Sequence, residues 1–485
     1  MSTHSTDRVS TGIDGLDEIL DGGLISGSSY LIRGEPGTGK TTLGLHFLAA
    51  GAKQGQENLL ITLVEPEEKL RQNAQRMGFS LENIHILDLS PTSETVADGQ
   101  FYDIFSPEEV EKETLLKNIV ESFQSIRPNR IYLDSFTQIS HLLSDTFQFR
   151  QQVLSLMRFI IDKQCTFLFS SEAYKNVIDE DLQFMSDGVI NVGFRNGNRI
   201  ISISKFRGSN FLEGNHAIRL GPNGMSVFPK LIYKDSRANF VIEPIPCGVP
   251  ELDEMFHGGL ERGTNTVISG PSGVGKTTLG AQFIKEAAGR GEHSAIYTFE
   301  EGEETLLHRC ESINIPINKM VEKGTLSVKK VDPLQYSPGE FAYSVRQTVE
   351  EKCANIVMLD SISGYRLSFQ NEPLEEIIRH LYSLTEYLKN RGVTVLLIDE
   401  VRNITGITSP AQMDISHLAD NIICLRYLEI EGKLNKIIGV LKKRMSDFEK
   451  SFRLLEITSY GIKVSGPLEG SKKIVSVNSH CTIRD

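Results

Sequence analysis

The feature that most restricts the fold of this chain is an internal repeat. Residues 9–65 match residues 245–301 without a gap, so that the Gly-x4-Gly-Lys-Thr segment Gly34–Thr41 recurs as Gly270–Thr277. A match at one constant spacing is typical of a duplicated structural unit. The sequence therefore predicts two copies of one domain, joined head to tail.

Each copy has the pattern strand, glycine-rich loop, helix, strand. In the first copy these segments are 29–33, the loop, 41–52 and 58–64. Further on, each copy has a short β-rich run that ends in an acid, Asp134 or Asp360, as in a Walker B strand. We therefore expect an α/β fold with two tandem RecA-like P-loop NTPase domains, each a doubly wound, mostly parallel sheet.

The apolar periodicity is interrupted at 228–241, where prolines and charged residues cluster. We place the domain boundary there, which gives a first domain at 1–238 and a second at 239–465. The polar, Ser/Lys-rich residues 466–485 are predicted to form a flexible tail.

Charge and hydropathy exclude several classes of protein. The net charge is −12 and both halves share the acidic excess, which argues against nucleic acid as the main partner, because such binders present basic surfaces. No apolar run reaches the ~18 residues of a membrane span, and the first residues do not resemble a secretory signal. The six cysteines form no Cys-x-x-Cys pair. We expect a cytoplasmic protein with reduced thiols.

The two loops have the residues that bind a nucleotide phosphate chain. Glycines allow close approach of the backbone, and a following helix N-terminus presents N–H donors. Lys40 and Lys276 are predicted to contact the β- and γ-phosphates of ATP, and Thr41 and Thr277 to ligate Mg²⁺. The predicted nucleotide-binding residues are Gly34, Gly37, Thr38, Gly39, Lys40, Thr41, Thr42 and Asp134 in the first half, and Gly270, Ser272, Gly273, Val274, Gly275, Lys276, Thr277, Thr278 and Asp360 in the second.

Hydrolysis also requires a carboxylate that polarises the nucleophile. Glu300 and Glu301 follow a predicted strand, at the edge where parallel sheets bind ligands. The aligned first-half residues are Val64 and Glu65, so only the second of the two acids is repeated. A solvated acidic loop is the alternative, because Glu303 and Glu304 follow.

A cationic pair ends one strand in each half: Lys205 and Arg207 in the first, Lys442 and Arg444 in the second. Alternate residues of a strand share a face, so each pair points the same way. We predict that these pairs contact the γ-phosphate bound by a neighbouring subunit. A solvated strand end is the alternative.

These motifs resemble the KaiC family, double-domain RecA-like ATPases whose founding member is the core of the cyanobacterial circadian clock. The resemblance implies a homohexamer of two stacked rings, with ATP at every subunit interface. It also implies ATP hydrolysis in the first ring and autophosphorylation in the second. Glu300 takes the position of the family's catalytic base and Glu301 that of its partner, with Glu65 the first-half counterpart; Glu301 is also a predicted Mg²⁺ ligand.

Clock-type members phosphorylate an adjacent Ser-Thr pair, and here Ser416 matches the serine while His417 replaces the threonine. We therefore expect a KaiC-like ATPase and serine autokinase that acts as a ring switch and signals to partner proteins. A RecA-like nucleic-acid motor and a nucleotide-stabilised scaffold are the alternatives. DNA-stimulated hydrolysis would favour the motor.

Overall fold

The chain forms two compact units, Met1–Lys230 and Leu231–Asp485. This division falls within the interrupted segment 228–241, ahead of the expected boundary at 238. The computed structural model describes residues 7–90, 108–141, 146–173, 177–231, 240–332, 336–370, 372–401, 417–430 and 432–468. None of the helices in these ranges has both the length and the apolar character that a membrane crossing requires.

The first unit alternates strands and helices, as predicted from its apolar runs. Its strands are β1 (Arg8–Val9), β2 (Leu24–Ile25), β3 (Ser29–Gly34), β4 (Asn58–Thr62), β5 (His85–Asp88), β6 (Arg130–Asp134), β7 (Thr166–Glu172), β8 (Gly188–Arg195), β9 (Asn198–Phe206), β10 (His216–Gly221) and β11 (Gly224–Phe228). Its helices are α1 (Asp14–Ile19), α2 (Lys40–Lys53), α3 (Glu67–Arg76), α4 (Glu108–Ile126), α5 (Phe136–His141), α6 (Thr146–Asp162) and α7 (Val177–Met185).

The second unit repeats the order of the strands, with one extra helix at Ile317–Glu322 and, among its described residues, no counterpart of α7. Its strands are β12 (Pro244–Ile245), β13 (Leu260–Glu261), β14 (Asn265–Gly270), β15 (His293–Thr298), β16 (Leu326–Lys330), β17 (Ala354–Asp360), β18 (Thr394–Glu400), β19 (Asn421–Ile430), β20 (Lys433–Lys443), β21 (Arg453–Thr458) and β22 (Gly461–Pro467). Its helices are α8 (Pro250–Met255), α9 (Lys276–Gly289), α10 (Glu303–Glu311), α11 (Ile317–Glu322), α12 (Pro338–Lys352), α13 (Ile362–Ser368) and α14 (Leu374–Asn390). The last strand extends into the segment that was expected to be a flexible tail from 466.

Both units build a nine-stranded sheet with the same topology. The orders are β11-β10-β9-β8-β3-β7-β6-β4-β5 and β22-β21-β20-β19-β14-β18-β17-β15-β16. In each sheet six strands pair in parallel, and the last three in chain order add an antiparallel edge. The shared topology confirms the predicted tandem RecA-like α/β fold.

Each sheet is covered on both faces. Along β3, Tyr30 and Ile32 belong to one hydrophobic core and Leu31 to another. Along β14, Ile268 belongs to one hydrophobic core and Val267 to another. Burial on both faces explains why these strands read as continuous apolar runs rather than as alternating ones.

A half-buried histidine joins three segments of the first unit. His46 on α2 accepts a hydrogen bond at Nε2 from the backbone N–H of Met225 (2.8 Å) and also bonds to the backbone of Gly12. Burial lowers the pKa of His46 to about 4. Gln282 is the repeat counterpart, and its amide donates to the carbonyl of Cys247 (2.8 Å) without any titratable group.

We predict that His46 makes the first unit sensitive to acid. The imidazole is neutral in the folded state, whereas the unfolded chain binds a proton below about pH 6.5. The free energy of unfolding therefore has its full value above pH 6.5 and decreases as the pH falls towards 4. The total loss below pH 4 is about 3 kcal/mol. Urea unfolding at pH 5 and pH 7.5 should show this loss in the wild type and a smaller one in His46→Gln. Gln282→His should add the same dependence to the second unit, and identical pH profiles for all three proteins would contradict the assignment.

Candidate functional site

The two glycine-rich loops lie between the end of a central strand and the start of a helix. In each unit the loop connects β3 to α2 or β14 to α9, and the residue before the helix is a glycine with a positive φ: Gly39 at 105° and Gly275 at 115°. A side chain would strain this backbone. The first N–H groups of α2 and α9 have no partner within the helix and are available to an anion.

The loop lysines lie within their own loops. Lys276 donates to the carbonyl of Pro271 (2.8 Å), and Lys40 donates to that of Gly34 (2.8 Å). Burial lowers the pKa of both side chains, and in Lys276 the nearby carboxylates, first among them Glu400, oppose the shift. Both ammonium groups are therefore held beside the helix N-terminus, where phosphate would lie.

A hydroxyl–carboxylate hydrogen bond joins each loop to its Walker B strand. Thr41 donates to Asp134 (2.6 Å), and Thr277 donates to Asp360 (2.7 Å). Burial raises the pKa of Asp360, while the bond from Thr277 opposes this shift. A hydroxyl and one carboxylate are the oxygen donors that Mg²⁺ takes from a protein when phosphates and water complete its shell. Within the described ranges, no cluster of three or more His, Cys, Asp or Glu residues could hold a metal by itself.

In the second unit, most of the predicted nucleotide-binding residues and both predicted catalytic acids line one cavity of about 570 Å³. Glu300 accepts a hydrogen bond from the hydroxyl of Ser361 (2.8 Å). Glu301 accepts one from Arg309 (2.7 Å), so this predicted Mg²⁺ ligand is paired with a guanidinium group. Among the residues that line the cavity are Ser272, Gly273, Gly275, Lys276, Thr277, Thr278, Glu300, Glu301 and Asp360.

Matching hydrogen bonds fix the equivalence of the two strand ends. Thr298 donates to the carbonyl of Glu301 (2.8 Å), and Thr62 donates to that of Glu65 (2.7 Å). Glu65 is thus the counterpart of Glu301, and the position of Glu300 is taken by Val64, whose exposed fraction is 54%. The repeat is also altered next to these acids, because Asn73 donates to Glu65 (2.6 Å) where the second unit has Arg309.

Three charged residues of the cavity were not predicted from the sequence. Glu400 ends β18, beside Gly270 in the sheet, and Lys436 donates to the carbonyl of Gly273 (3.1 Å). Arg309 comes from α10. The signal for Glu400 was present in the sequence, because the apolar run of β18 ends in two acids just as a Walker B strand ends in one. Lys436 had no such signal, since the antiparallel pairing of β20 brings it to the loop.

The predicted Lys-Arg pairs lie level with the beginning of the central strands, whereas the glycine-rich loops follow their ends. Lys442 pairs with Ile422, which pairs with Val267 near the start of β14. Its ammonium group donates to the carbonyl of Ala419 (2.7 Å), and Arg444 lies 3.4 Å from Asp420. Neither cation faces the loop of its own unit.

The first unit has the same arrangement at its Lys-Arg pair. Lys205 donates to the carbonyls of Gln183, Phe184 and Ser186, and Arg207 lies 3.6 Å from Asp187. About half of the Arg207 and Arg444 side chains is exposed to solvent. The arginines are thus the more accessible members of both pairs.

The remaining predicted residues are distributed as follows. Thr38 donates to the carbonyl of Glu35 (2.8 Å), the Thr42 hydroxyl lies 3.7 Å from the sulfur of Met77, and Val274 is buried. Ser416 lies outside the described residues, and His417 next to it is exposed.

Comparison with known proteins agrees with the duplicated architecture. A family model described as the KaiC ATPase matches residues 9–232 and, again, residues 245–469. The "Circadian clock oscillator protein KaiC" of Parasynechococcus marenigrum is 26% identical over 99% of this chain and 94% of its own length. The proteins "Circadian clock protein KaiC3" and "Circadian clock protein KaiC2" of Synechocystis sp. are 26% and 27% identical over 98% and 96% of this chain, and over 95% and 83% of their own lengths.

Proposed function

The chain belongs to the KaiC family of ATPases, and we propose that its two units divide the work of a nucleotide-driven ring. In this proposal both units bind Mg²⁺·ATP, the second unit carries out hydrolysis and serine autophosphorylation, and the first mainly holds nucleotide. One observation supports this division above the others. Glu300 lies at the cavity with Lys276, Thr277 and Asp360, whereas Val64 occupies its place in the first unit.

The contacts of the second unit support a role for Glu300 as general base. Ser361 holds one of its carboxylate oxygens (2.8 Å). A second cavity of about 760 Å³ shares Glu300 and Glu400 with the nucleotide cavity but does not include the glycine-rich loop. A water molecule or an acceptor hydroxyl can approach Glu300 through this second cavity without displacing the phosphates.

The proposed reaction follows from these positions. Glu300 takes the proton of the attacking hydroxyl group. The oxygen of that hydroxyl group forms a bond to the γ-phosphorus of ATP, and the bond between the γ-phosphorus and the ADP oxygen breaks. Lys276 contacts the phosphates from the loop. Mg²⁺, when bound at Thr277 and Asp360, supplies positive charge that offsets the charge of the phosphates. Attack by water gives hydrolysis, and attack by Ser416 gives phosphoserine.

The position of the Lys-Arg pairs supports a ring. Each pair lies at the opposite end of its central strand from the loop of the same unit, so a phosphate contact requires a second copy of the chain. Asp420, four residues after Ser416 in the sequence, lies beside Arg444. We therefore propose a homohexamer in which one subunit's acceptor segment approaches the next subunit's Glu300. The phosphorylation state of this ring would be read by partner proteins.

The nucleic-acid motor has less support. The chain has a net charge of −12, whereas affinity for DNA or RNA depends on neutralising phosphates with Lys and Arg. Stimulation of ATP hydrolysis by single-stranded DNA would favour the motor over the switch.

We predict that ATP drives assembly. Charged hydrogen bonds from Arg207 and Arg444 to a neighbour's phosphate would couple the stability of the oligomer to ligand binding. Light scattering in saturating Mg²⁺ and a non-hydrolysable ATP analogue should show hexamers. Arg207→Ala with Arg444→Ala should shift the assembly to smaller species, and Lys117→Ala, which removes an exposed cation of α4, should have no effect. A wild-type monomer under these conditions would exclude the ring.

The second unit should account for most of the ATP hydrolysis. Loss of a positioned general base lowers a rate by roughly 10² to 10⁴, and Val64 cannot accept a proton. Lys276→Ala should therefore abolish nearly all steady-state turnover, while Lys40→Ala should leave most of it when the ring is intact. If turnover vanished with Lys40→Ala and survived Lys276→Ala, the roles of the two units would be reversed.

Incubation with labelled ATP should modify one main site, Ser416. We expect no label in Ser416→Ala or Glu300→Gln. Glu304→Gln, which neutralises an exposed acid of the same segment, should be labelled like the wild type. Equal labelling of all four proteins would contradict autophosphorylation of Ser416 and leave ATP hydrolysis as the only proposed activity.

A mixing experiment tests transfer between subunits. Ser416→Ala keeps the proposed base and Glu300→Gln keeps the acceptor, so mixed rings should recover label although neither variant is labelled alone. Label that appears only when both groups belong to one chain would contradict the proposed interface.

A further inference from the structure

The second unit carries a guanidinium group beside its acids. Arg309 lies on α10, lines the nucleotide cavity and donates through Nη2 to Glu301 (2.7 Å). Burial raises the pKa of Asp360, and both the bond from Thr277 and the charge of Arg309 oppose this shift. The charge of Arg309 therefore acts on the Walker B acid as well as on Glu301.

The first unit keeps the same contact without the charge. Asn73 precedes Arg309 by the spacing of the repeat, and its amide donates to Glu65, the counterpart of Glu301 (2.6 Å). Lys69 lies 3.8 Å from Glu65, but its side chain is 70% exposed, and an ion pair exposed to this extent contributes little. A neutral amide is thus sufficient to hold the second acid, so the positive charge of Arg309 is not required for that contact.

The acid that differs between the two strand ends is Glu300. It lines the cavity of the second unit, whereas Val64 takes its place in the first unit and carries no charge. Burial lowers the pKa of Lys276, and the surrounding carboxylates, with Glu400 first and Glu300 among them, oppose this shift. The charge of Glu300 therefore acts where phosphate would lie. At the two repeat positions that Glu300 and Arg309 occupy, the second unit has one more acid and one more cation than the first.

We propose that Arg309 supplies the counter-charge that lets the second unit bind ATP beside its general base, Glu300. The guanidinium group offsets the charge of Glu301, so the phosphates meet the uncompensated charge of one acid after β15 instead of two. Val64 leaves a single acid at the same strand end of the first unit, where the neutral Asn73 is enough. The inference rests on the proposed binding of Mg²⁺·ATP by the second unit, and it is independent of ring assembly and phosphorylation.

Substitutions that exchange residues between the units test the inference. The parent is the full chain with Lys40→Ala, which restricts binding to the second unit, and the measured quantity is the Kd of a fluorescent non-hydrolysable ATP analogue in Mg²⁺. Arg309→Asn installs the residue of the first unit, which keeps a hydrogen bond to the acid and loses the charge. We expect the Kd to rise about 10-fold, the effect of one unit charge about 10 Å from the phosphates at an effective dielectric constant of about 20.

Further variants show whether charge is the cause. Arg309→Lys keeps the charge, and its Kd should stay within about 2-fold of the parent value. Glu300→Val should lower the Kd when made alone and, combined with Arg309→Asn, should return it to within about 3-fold of the parent value. Arg379→Asn is the matched control, because it removes an exposed arginine that pairs with Glu376 on α14 (3.0 Å) outside the cavity. Its Kd should equal that of the parent.

The first unit allows the reciprocal exchange. In the full chain with Lys276→Ala, which restricts binding to the first unit, Val64→Glu should raise the Kd of the analogue about 10-fold. Adding Asn73→Arg should restore most of the affinity, because Glu65 then has the same partner as Glu301.

The outcomes separate the inference from the proposed function. An unchanged Kd for Arg309→Asn would overturn the inference. A Kd for Arg309→Lys as high as that for Arg309→Asn would also overturn it, because hydrogen bonding and not charge would then be the cause. So would binding that stays weak when Glu300→Val or Asn73→Arg completes its exchange. Failure of the Lys40→Ala parent to bind the analogue would instead remove nucleotide binding by the second unit from the proposed function, and the inference with it.

Discussion

One hydrogen bond, repeated in both units, sets the geometry on which the rest of each site depends. The hydroxyl of Thr41 or Thr277, in the first turn of a helix, meets the carboxylate of Asp134 or Asp360 at the end of a strand that lies 93 or 83 residues further along the chain. The parallel sheet makes this contact possible, because it brings the carboxyl ends of separate strands to one edge. The loop, the acids that follow β4 and β15, and the ends of β7 and β18 then meet around that bond.

The part of the site that is local in sequence could be predicted from sequence. The glycine-rich loops, the Walker B acids and the Glu300–Glu301 pair are each defined within a few residues, and the repeat supplies a second copy of all of these except Glu300, which Val64 replaces. The fold class followed from the same segments. By contrast, Lys436 reaches the loop through the register of β19 and β20, and the neighbours of Asp134 depend on the register of β6 and β7. The register between strands that are distant in the chain cannot be predicted from the sequence of either strand alone.

The two units share one sheet topology and differ in polar groups at their sites. Four of these changes lie around the same frame of strands: Val64 against Glu300, Asn73 against Arg309, Ser170 against Ile398, and Tyr132 against Met358. The first two changes place charged groups around the nucleotide cavity of the second unit. The last two place hydroxyl groups beneath the Walker B acid of the first unit. Such a pattern is what duplication followed by separate roles would leave, since hydrophobic cores constrain both copies while site residues change independently.

The charge balance of the second site shows why it depends on more than its own residues. The nucleotide cavity is lined by four acids, Glu300, Glu301, Asp360 and Glu400. Burial raises the pKa of Asp360 and that of Asp399, which precedes Glu400 in β18. The lining cations are Lys276, Arg309 and Lys436, and Arg309 is already paired with Glu301. A polyphosphate adds further negative charge to a site where like charges already oppose ionisation. Tight binding there therefore requires positive charge from outside the unit, for which a divalent cation and the exposed arginine of a neighbouring copy are the two sources of suitable chemistry. In the proposed ring, this charge balance would link nucleotide binding by the second unit to assembly.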